Sequence, residues 1–595
     1  MWRAPIQQRR RPLLKIDCYV RSHIARLELD VRVTGNPGFL RSSVAAPAPS
    51  RSRALVLAAM TLAVAMTFID QTIVSVAAPT VQRELGLSST GIQWAVNAYI
   101  LTLAAFFAFG GRLADIVGHT KVLVVGIIVF ASASALCGLT PSGSAAEGWI
   151  VAARALQGVG AAIMFPAALA IVVQTFPLNH RGRALALFFG VAGALTAIGP
   201  IAGGYLTEWT WRAIFWVNVP VAVLALLFIA IAKPTSTYRP SPMDFRGLAL
   251  IAGGIGLSVF GFQQASTWGW ASPVTWLCIA AGVALLVVFR RFERGAKSPL
   301  IQFDIFRNRA FRVENLVLGI AMLVGIPVYF FASEYAQIAL GKPPMEASLV
   351  LLYFFIGFVV AAQIGGRMLD RVGAKRPVVL GCTLAAAGFA LWAGKATDLS
   401  LSAQIWFIIL AGAGMGLMQG QANTDAVNRA SRLSYGEATG ITQTVRNYAA
   451  SLGLAVLGTI LVTGLRSHLS SSLVAKGLTP TQAATEASRI AEHQGGNGTV
   501  ASIPHFVRLD FAYATQTVFY VMAGIMGVAA LVAMLGLRAG RQLEANETTE
   551  DESGRASERL GQVAPDGAVE WSGADYEVAP LEVAGSGQML NRRRR

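Results

Sequence analysis

Hydrophobic residues occur in long runs, separated by short polar stretches, along most of the chain. Each run is about twenty residues long, the length at which an α-helix crosses the hydrocarbon core of a bilayer. The pattern predicts fourteen spanning helices, near residues 54–79, 92–111, 121–140, 148–173, 184–206, 213–232, 247–264, 274–289, 313–333, 347–366, 376–394, 402–424, 438–464 and 515–537. An even number of spans puts both termini on the same side of the membrane.

The composition agrees with a polytopic membrane protein, because 54% of the residues are hydrophobic and only 14% are charged. The loops on one side, with the short stretch before the first span, hold 22 Lys and Arg residues; the short loops on the other side hold four. By the positive-inside rule the basic side is cytoplasmic, so we expect a multi-pass protein of the plasma membrane (bacterial inner membrane type) with both termini in the cytoplasm. The net charge of +17 therefore reflects topology, and no nucleic-acid partner is expected.

Three segments lie outside the apolar runs. Residues 1–53 are rich in arginine and irregular, and we expect a disordered N-terminal extension. The tail over 541–595 is acidic, rich in Gly and Ser, and also predicted to be disordered and cytoplasmic. One long polar loop on the outward side, 466–512, has the pattern of an amphipathic helix around 479–491.

The residue types needed for a metal, a cofactor or hydrolysis are not arranged in a recognisable pattern. The four cysteines are scattered singly without a CxxC pair, so neither a disulfide framework nor a metal site is indicated. The chain contains no GxxxxGK[ST] sequence, which argues against ATP-driven pumping. We predict no cofactor, no metal and no enzymatic activity.

An internal repeat indicates two similar halves. Gly110–Gly118 reads GGRLADIVG and Gly365–Gly373 reads GGRMLDRVG, with six identities in nine positions at an offset of 255 residues. Both copies lie at the same end of a span, so the halves have the same orientation. We predict an N-terminal six-helix bundle over 54–233, two extra linking helices over 234–300, and a C-terminal six-helix bundle over 301–540.

Five motifs follow one another in order on successive spans. They are DQTIVSVAAP at Asp70–Pro79, GRLADIVG at Gly111–Gly118, RALQGVG at Arg154–Gly160, GPIAGG at Gly199–Gly204, and Trp211-Arg212 with FWVNVP at Phe215–Pro220. Together they resemble the drug:proton antiporter family with fourteen transmembrane helices, a branch of the major facilitator superfamily. The resemblance covers roughly residues 54–465 and, more weakly, the last span.

The resemblance implies an all-α polytopic membrane protein with the major facilitator fold, in which two six-helix bundles are joined by two extra helices. It also implies proton-coupled export of drugs or amphiphilic small molecules, with small-molecule substrate, protons and the bilayer as partners. We expect a monomer. Two alternatives stay open at this stage: a facilitator or importer of a specific metabolite on the same fold, and a receptor-like degenerate transporter.

The charges inside the apolar runs are the candidates for proton coupling or substrate binding. A charge in the middle of a span costs about 3 kcal/mol even on lenient scales, so it normally faces a cavity or a partner. Arg154 is the clearest case, either as a cavity-facing cation or as a buried tie between helices. Asp70 holds the family's first-span position, and its alternative is a hydrogen-bonded structural carboxylate. The weaker candidates are Glu334 (alternatively an exposed helix-end carboxylate), Asp425 (alternatively interfacial) and Arg446.

The repeated motif is interpreted as a cytoplasmic gate between the halves. Its candidate residues are Gly111, Asp115, Gly118, Gly366, Asp370, Arg371 and Gly373. In the first copy Ile116 and Thr120 replace usual basic residues and His119 replaces another, which predicts a weaker latch there. Asp115 ends a helix, where the dipole disfavours an anion, so it needs a cationic partner or the N-terminus of another helix.

The fifth span carries the motif that the family associates with antiport, at Gly199, Pro200, Gly203 and Gly204. Glycine is unfavourable in a soluble helix, whereas in lipid small residues allow helices to approach closely. We expect a kinked helix that packs between the halves, shapes the cavity and limits leakage.

Overall fold

The computed structural model describes residues 50–176, 178–234, 242–296, 299–428, 435–493, 503–538 and Gly540. Residues 1–49 of the predicted extension, the predicted tail 541–595 and part of the loop 466–512 lie outside the described residues. Within those ranges the structure is almost entirely helical, and fourteen helices are long and apolar enough to cross a membrane. The predicted number of spans and the all-α class are confirmed.

The fourteen spanning helices are numbered α1–α13 and α15, and a shorter polar helix between the last two is α14. Their bounds are Ser50–Leu85 (α1), Ser89–Val117 (α2), His119–Gly138 (α3), Ala146–Thr175 (α4), Leu178–Trp209 (α5), Ala213–Ala232 (α6), Phe245–Trp268 (α7), Pro273–Glu293 (α8), Arg309–Ala339 (α9), Pro344–Val372 (α10), Lys375–Ala396 (α11), Ile405–Asn428 (α12), Tyr435–Ala475 (α13), Pro480–His493 (α14) and His505–Gly536 (α15). The helix α9 is interrupted before Pro327 and ends in a π-helical turn, Tyr335–Ala339.

The helices form two bundles with matching packing. In the first, α4 packs against α2 and α3, and α1 packs against α5 and α6. In the second, α12 packs against α10 and α11, and α9 packs against α13. Adding eight to each helix number gives the corresponding pair, except that the counterpart of α6 is α15, which packs against α9, because the short helix α14 interrupts the numbering. This correspondence is expected for a parallel repeat with two helices inserted between the halves.

The two copies of the repeated motif have the same local geometry. The helix α2 ends at Gly118 with φ of 110°, and α10 ends at Gly373 with φ of 79°. In each copy the glycine N–H donates to the carbonyl four residues earlier, at Ala114 and Leu369, over 3.0 Å. A side chain would be strained at this φ, which explains a glycine at both ends.

The inserted helices α7 and α8 form a hairpin. The helix α7 packs against both α2 and α13, and so touches one helix from each bundle, while α8 packs on α7. Asn97 on α2 connects all three: its Nδ2 donates to Gln263 Oε1 of α7 over 2.6 Å and to the Ser451 carbonyl of α13 over 3.2 Å. The hairpin of α7 and α8 is therefore hydrogen-bonded to the interface between the two bundles.

The bundles contact each other at one end of the spanning helices. We call the side that contains Arg53, Gly118 and Gly373 the basic side. On the opposite side α5 packs against α10, and Gln337 Nε2 of α9 donates to the Val76 carbonyl of α1 over 2.7 Å.

A short helix also covers the opposite side, where the sequence predicts an amphipathic one. The helix α14 packs on α13 and α2, and its Ala491 carbonyl accepts a 2.5 Å hydrogen bond from Ser89 Oγ. It therefore adds a further contact where the bundles already meet.

Candidate functional site

A buried ion pair joins α1 to α4 inside the first bundle. Arg154 Nη1 lies 2.6 Å from Asp70 Oδ2, and the two side chains are 2% and 0% exposed. Both positions are far from either helix end, so neither charge can reach water without movement of the helices. Each charge therefore has a counter-ion inside the protein, which the hydrocarbon core of a membrane could not supply.

Other groups complete the coordination of these charges. Gln157 Nε2 donates to Asp70 Oδ1 over 2.8 Å, and Gln157 Oε1 accepts from Arg154 Nη1 over 2.7 Å. Arg154 Nε donates to the Ala95 carbonyl over 3.1 Å, and the guanidinium lies 4.5 Å from the ring centroid of Tyr99. Buried ion pairs are stable only with such additional partners, and this one has a partner on each of three helices.

The sequence of α4 explains why this network forms. Arg154 and Gln157 are three residues apart, so they lie on one face of the helix. Gly158 lies beside them, and a Cβ atom there would overlap Thr102 and the Tyr99 carbonyl of α2. The glycine thus allows α2 to approach closely enough for Ala95 and Tyr99 to contact the guanidinium.

The position of Arg154 differs from that of a cavity-facing cation. Its side chain is directed into the first bundle, and it does not line either of the two cavities described below. The alternative role, a buried arginine that links helices through hydrogen bonds to carbonyl groups, agrees with its carbonyl contact. That alternative did not include a carboxylate partner, which the structure shows. Sequence reasoning singled out Asp70 and Arg154 separately; the structure brings them together.

A small central cavity of about 30 Å³ lies between the bundles. Its wall on the first bundle is formed by Thr67, Phe68, Gln71, Leu103, Phe107 and Phe165, and its wall on the second by Ile326, Gln443, Arg446 and Asn447. Gln71 directly follows Asp70, so the ion pair lies immediately behind this wall. Arg446 Nη1 donates to Gln443 Oε1 over 2.9 Å, one helical turn earlier on α13.

A larger cavity of about 210 Å³ lies at the basic side. It is lined by Phe107, Ala108, Gly111, Arg112, Asp115, His119, Pro166, Ala170, Val173, Gln174, Pro299, Leu300, Gln302, Gly440 and Ile441. Phe107 lines both cavities and packs on Phe165 with the ring centroids 5.4 Å apart. The central cavity is thus separated from the basic-side cavity by aromatic side chains.

The repeated motif lies at the mouth of the larger cavity in its first copy. Gly111 and Asp115 line the wall, and Asp115 Oδ1 is 3.2 Å from His119 Nε2 at the start of the next helix. The partner of Asp115 is therefore the imidazole of His119, the first residue of α3, which is cationic only when it is protonated. In the second copy Asp370 and Arg371 are exposed at the end of α10.

The antiport motif packs on both bundles. Cβ atoms added at Gly199 and Gly203 would approach Thr72 and Ile73 of α1, and one added at Gly204 would lie 2.9 Å from Met345 Cα of α10. Thr72 Oγ1 also donates to the Thr196 carbonyl over 3.2 Å. Buried Pro200 lies between these contacts, within a helix of the first bundle that also packs against α10 of the second.

The two remaining acidic candidates are buried. Glu334 is 1% exposed and directly precedes the π-helical turn of α9, so the alternative of an exposed helix-end carboxylate is wrong. Asp425 is 2% exposed and lies three residues before the end of α12, Asn428. Neither residue lines the central cavity with Arg446.

Sequence reasoning missed several polar residues inside the membrane. Glu314 of α9 is 1% exposed, and it was overlooked because it falls at the edge of an apolar run. Gln443 and Asn447 flank Arg446 at positions i−3 and i+1, and the spacing to Gln443 is that of Arg154 and Gln157. A glutamine three residues from an arginine inside a span was the sequence pattern that could have identified these polar residues.

The comparisons with known proteins agree with this architecture. The family model described as Major Facilitator Superfamily matches residues 60–454. A tetracenomycin C resistance and export protein of Streptomyces glaucescens is 34% identical, over 68% of this chain and 75% of that protein. A puromycin resistance protein of Streptomyces alboniger is 33% identical, over 70% of this chain and 82% of that protein.

Solved structures support the fold independently of sequence. The structure of a bacterial homologue of the human lysosomal transporter Spinster aligns over 82% of this chain and 98% of that one, with a TM-score of 0.52 and 17% sequence identity. At that identity the likeness concerns the fold alone. The matched family model, the curated relatives and the paired six-helix bundles agree, and the chain belongs to the Major Facilitator Superfamily of membrane transporters.

Proposed function

We propose that the protein is a secondary transporter, not an enzyme, which exports drug-like or amphiphilic small molecules in exchange for protons. The observation that carries the proposal is the buried network of Asp70, Arg154 and Gln157 directly behind the central cavity wall. The names of the relatives, resistance and export proteins for tetracenomycin C and puromycin, support the direction of transport and the class of substrate.

The proposed orientation follows from the distribution of basic residues. The basic side is taken as cytoplasmic by the positive-inside rule, with both termini there and the protein in a plasma membrane. The cavity of about 210 Å³ then opens toward the cytoplasm, where a substrate for export enters. The contact of Gln337 with Val76 joins the two bundles on the side that this orientation makes external.

Protonation of Asp70 is the proposed coupling step. A proton on the carboxylate removes one charge of the buried pair and leaves Arg154 without its counter-ion, which is unfavourable in a low-dielectric interior. The first bundle must then rearrange so that Arg154 finds other partners or water. Since Asp70 and Gln71 are adjacent on α1, this rearrangement changes the wall of the central cavity.

The remaining motifs then have defined roles. Glycine contacts of α5 with α1 and α10 hold the outward ends together, and they separate when the cavity opens outward. The Gly118 and Gly373 loops carry the proposed cytoplasmic gate, and in this conformation Asp115 contacts His119 of its own half rather than the second bundle. A proton moving through 100 mV supplies about 2.3 kcal/mol, enough for a substrate gradient of tens-fold.

Proton flux in liposomes tests this function. The full-length protein is reconstituted in vesicles with an acidic interior, and the dyes pyronin Y and fluorescein are added outside. We expect dye accumulation inside together with proton release. We also expect Asp70→Asn to abolish the response to the pH gradient, while Asp398→Asn, an exposed carboxylate paired with Lys395, retains it. If the rate and extent of dye uptake by the wild type do not depend on the imposed pH gradient, the protein is a facilitator and the proposed proton coupling is wrong.

A further inference from the structure

The cation in the central cavity has no counter-ion among the residues that the structure describes. Arg446 is the charged residue among those that line this cavity, and within the described part of the chain no carboxylate lies within ion-pair distance of it. Its Nη1 is bonded to Gln443, and its Nη2 reaches Met322 Sδ only at 3.9 Å. Its Nε is buried and has no hydrogen-bond partner among the described residues.

The contrast with Arg154 makes this arrangement informative. Arg154 has a carboxylate, an amide, a carbonyl and an aromatic ring around its guanidinium, and its charge is already balanced by Asp70. Arg446 has one amide and free donor capacity, although it also lies within a membrane span. A cation kept this way in a low-dielectric interior is stabilised when a ligand brings a negative charge.

The rest of the cavity wall limits the kind of anion. Phe68, Phe107 and Phe165 on the first bundle offer apolar ring faces opposite Arg446. The amides of Gln71 and Asn447 provide the few polar contacts that would orient a ligand. A flat aromatic molecule with an acidic group at one edge would contact both the rings and the guanidinium, whereas a small inorganic ion would use the guanidinium alone.

We propose that the central cavity binds aromatic anions, with a carboxylate or phenolate of the ligand held by Arg446. This rests on the proposed function, since it names the substrate class of the same transport cavity. At about 30 Å³ the cavity is too small for such a ligand in this conformation. Displacement of the Phe107 ring would join it to the basic-side cavity of about 210 Å³ and provide the space.

The test compares two dyes with a similar three-ring skeleton and opposite charge. Fluorescein is an aromatic anion and pyronin Y an aromatic cation. Binding of each to the detergent-solubilised full-length protein is measured by fluorescence anisotropy. We expect fluorescein to bind more tightly than pyronin Y, and Arg446→Gln to weaken fluorescein about tenfold while leaving pyronin Y unchanged or tighter. Arg446→Lys, which keeps the charge, should retain most of the affinity for fluorescein.

A matched control distinguishes the loss of the positive charge in the cavity from the loss of one positive charge elsewhere in the protein. Arg489→Gln removes an exposed arginine of α14, far from the cavity, and should leave both dyes unaffected. Failure of fluorescein to bind, a preference for pyronin Y, a fluorescein affinity that survives Arg446→Gln, or equal losses in the Gln and Lys variants would each overturn the proposal.

The binding test and the transport test fail separately. If fluorescein binds through Arg446 but no dye responds to a pH gradient in liposomes, the proton coupling is wrong and the ligand class stands. If pyronin Y is moved by the gradient and fluorescein neither binds nor moves, the transport function stands and the assignment of Arg446 falls.

Discussion

Ser451 Oγ on α13 donates a 2.6 Å hydrogen bond to Asn97 Oδ1 on α2, across the boundary between the two bundles. Both residues are 0% exposed, and Asn97 also donates to Gln263 of the inserted helix α7. Three parts of the molecule that are distant in sequence are thus joined by one asparagine side chain. A movement that separates α2 from α13 at this position must break this bond.

The first prediction concerns Ser451. Replacing it with alanine leaves Asn97 Oδ1 buried without its donor, which costs about 1–3 kcal/mol. We expect Ser451→Ala to lower the thermal unfolding temperature in detergent. Ser471→Ala on the same helix removes an exposed hydroxyl and should leave it unchanged within error. Equal unfolding temperatures for the two variants would contradict a structural role for the contact.

The second prediction concerns the charge balance of the ion pair. Asp70→Asn leaves Arg154 as an uncompensated buried cation, and Arg154→Gln leaves Asp70 as an uncompensated buried anion. Either change should destabilise the protein by about 3–5 kcal/mol. The double variant removes both charges, and we expect it to recover a large part of that loss.

Thermal unfolding of the four proteins, measured in one detergent, gives the coupling between the two residues. Additive losses in the double variant would mean that the pair does not interact in the membrane protein as it does here. Recovered stability without recovered response to a pH gradient would separate the structural role of the pair from its proposed role in coupling.

The sequence predicted the spans, the repeat and the motif positions because each depends on local composition. A run of apolar residues identifies a membrane helix wherever it packs, and Gly118 and Gly373 mark equivalent helix ends through the same backbone requirement. Which side chains meet depends on the rotation and tilt of helices far apart in sequence. The pairing of Asp70 with Arg154, 84 residues later, and the burial of Glu334 are of this second kind.

The different environments of Arg154 and Arg446 show the same limit. Both were singled out as cations inside spans, one in each half, and each bonds a glutamine three residues away, which follows Arg154 but precedes Arg446. The difference is that α1 brings a carboxylate to Arg154, whereas the second bundle brings none of the described carboxylates to Arg446. The sequence pattern identifies a cation inside a span. Whether a carboxylate neutralises it depends on how the helices pack.

The third prediction concerns the close approach of α5 and α10. A Cβ atom at Gly204 would lie 2.9 Å from Met345 Cα, so Gly204→Ala must push the two bundles apart on this side. We expect slower dye export in liposomes and a lower unfolding temperature. Gly193→Ala on the same helix is the control, because its Cβ would meet nothing within 4 Å. Equal effects of the two substitutions would indicate a change in helix propensity rather than in the contact between bundles.

The fourth prediction concerns the closure of the side opposite the basic side. Gln337 Nε2 donates to the Val76 carbonyl over 2.7 Å and so connects the end of α9 to α1 of the other bundle. Gln337→Ala removes this connection, and we expect vesicles with the variant to leak pyronin Y down its gradient without a pH difference. Gln516→Ala removes a comparable amide that donates to the Ala393 carbonyl within one bundle, and it should not leak. Tight vesicles with Gln337→Ala would mean that the glycine contacts of α5 alone keep this side closed.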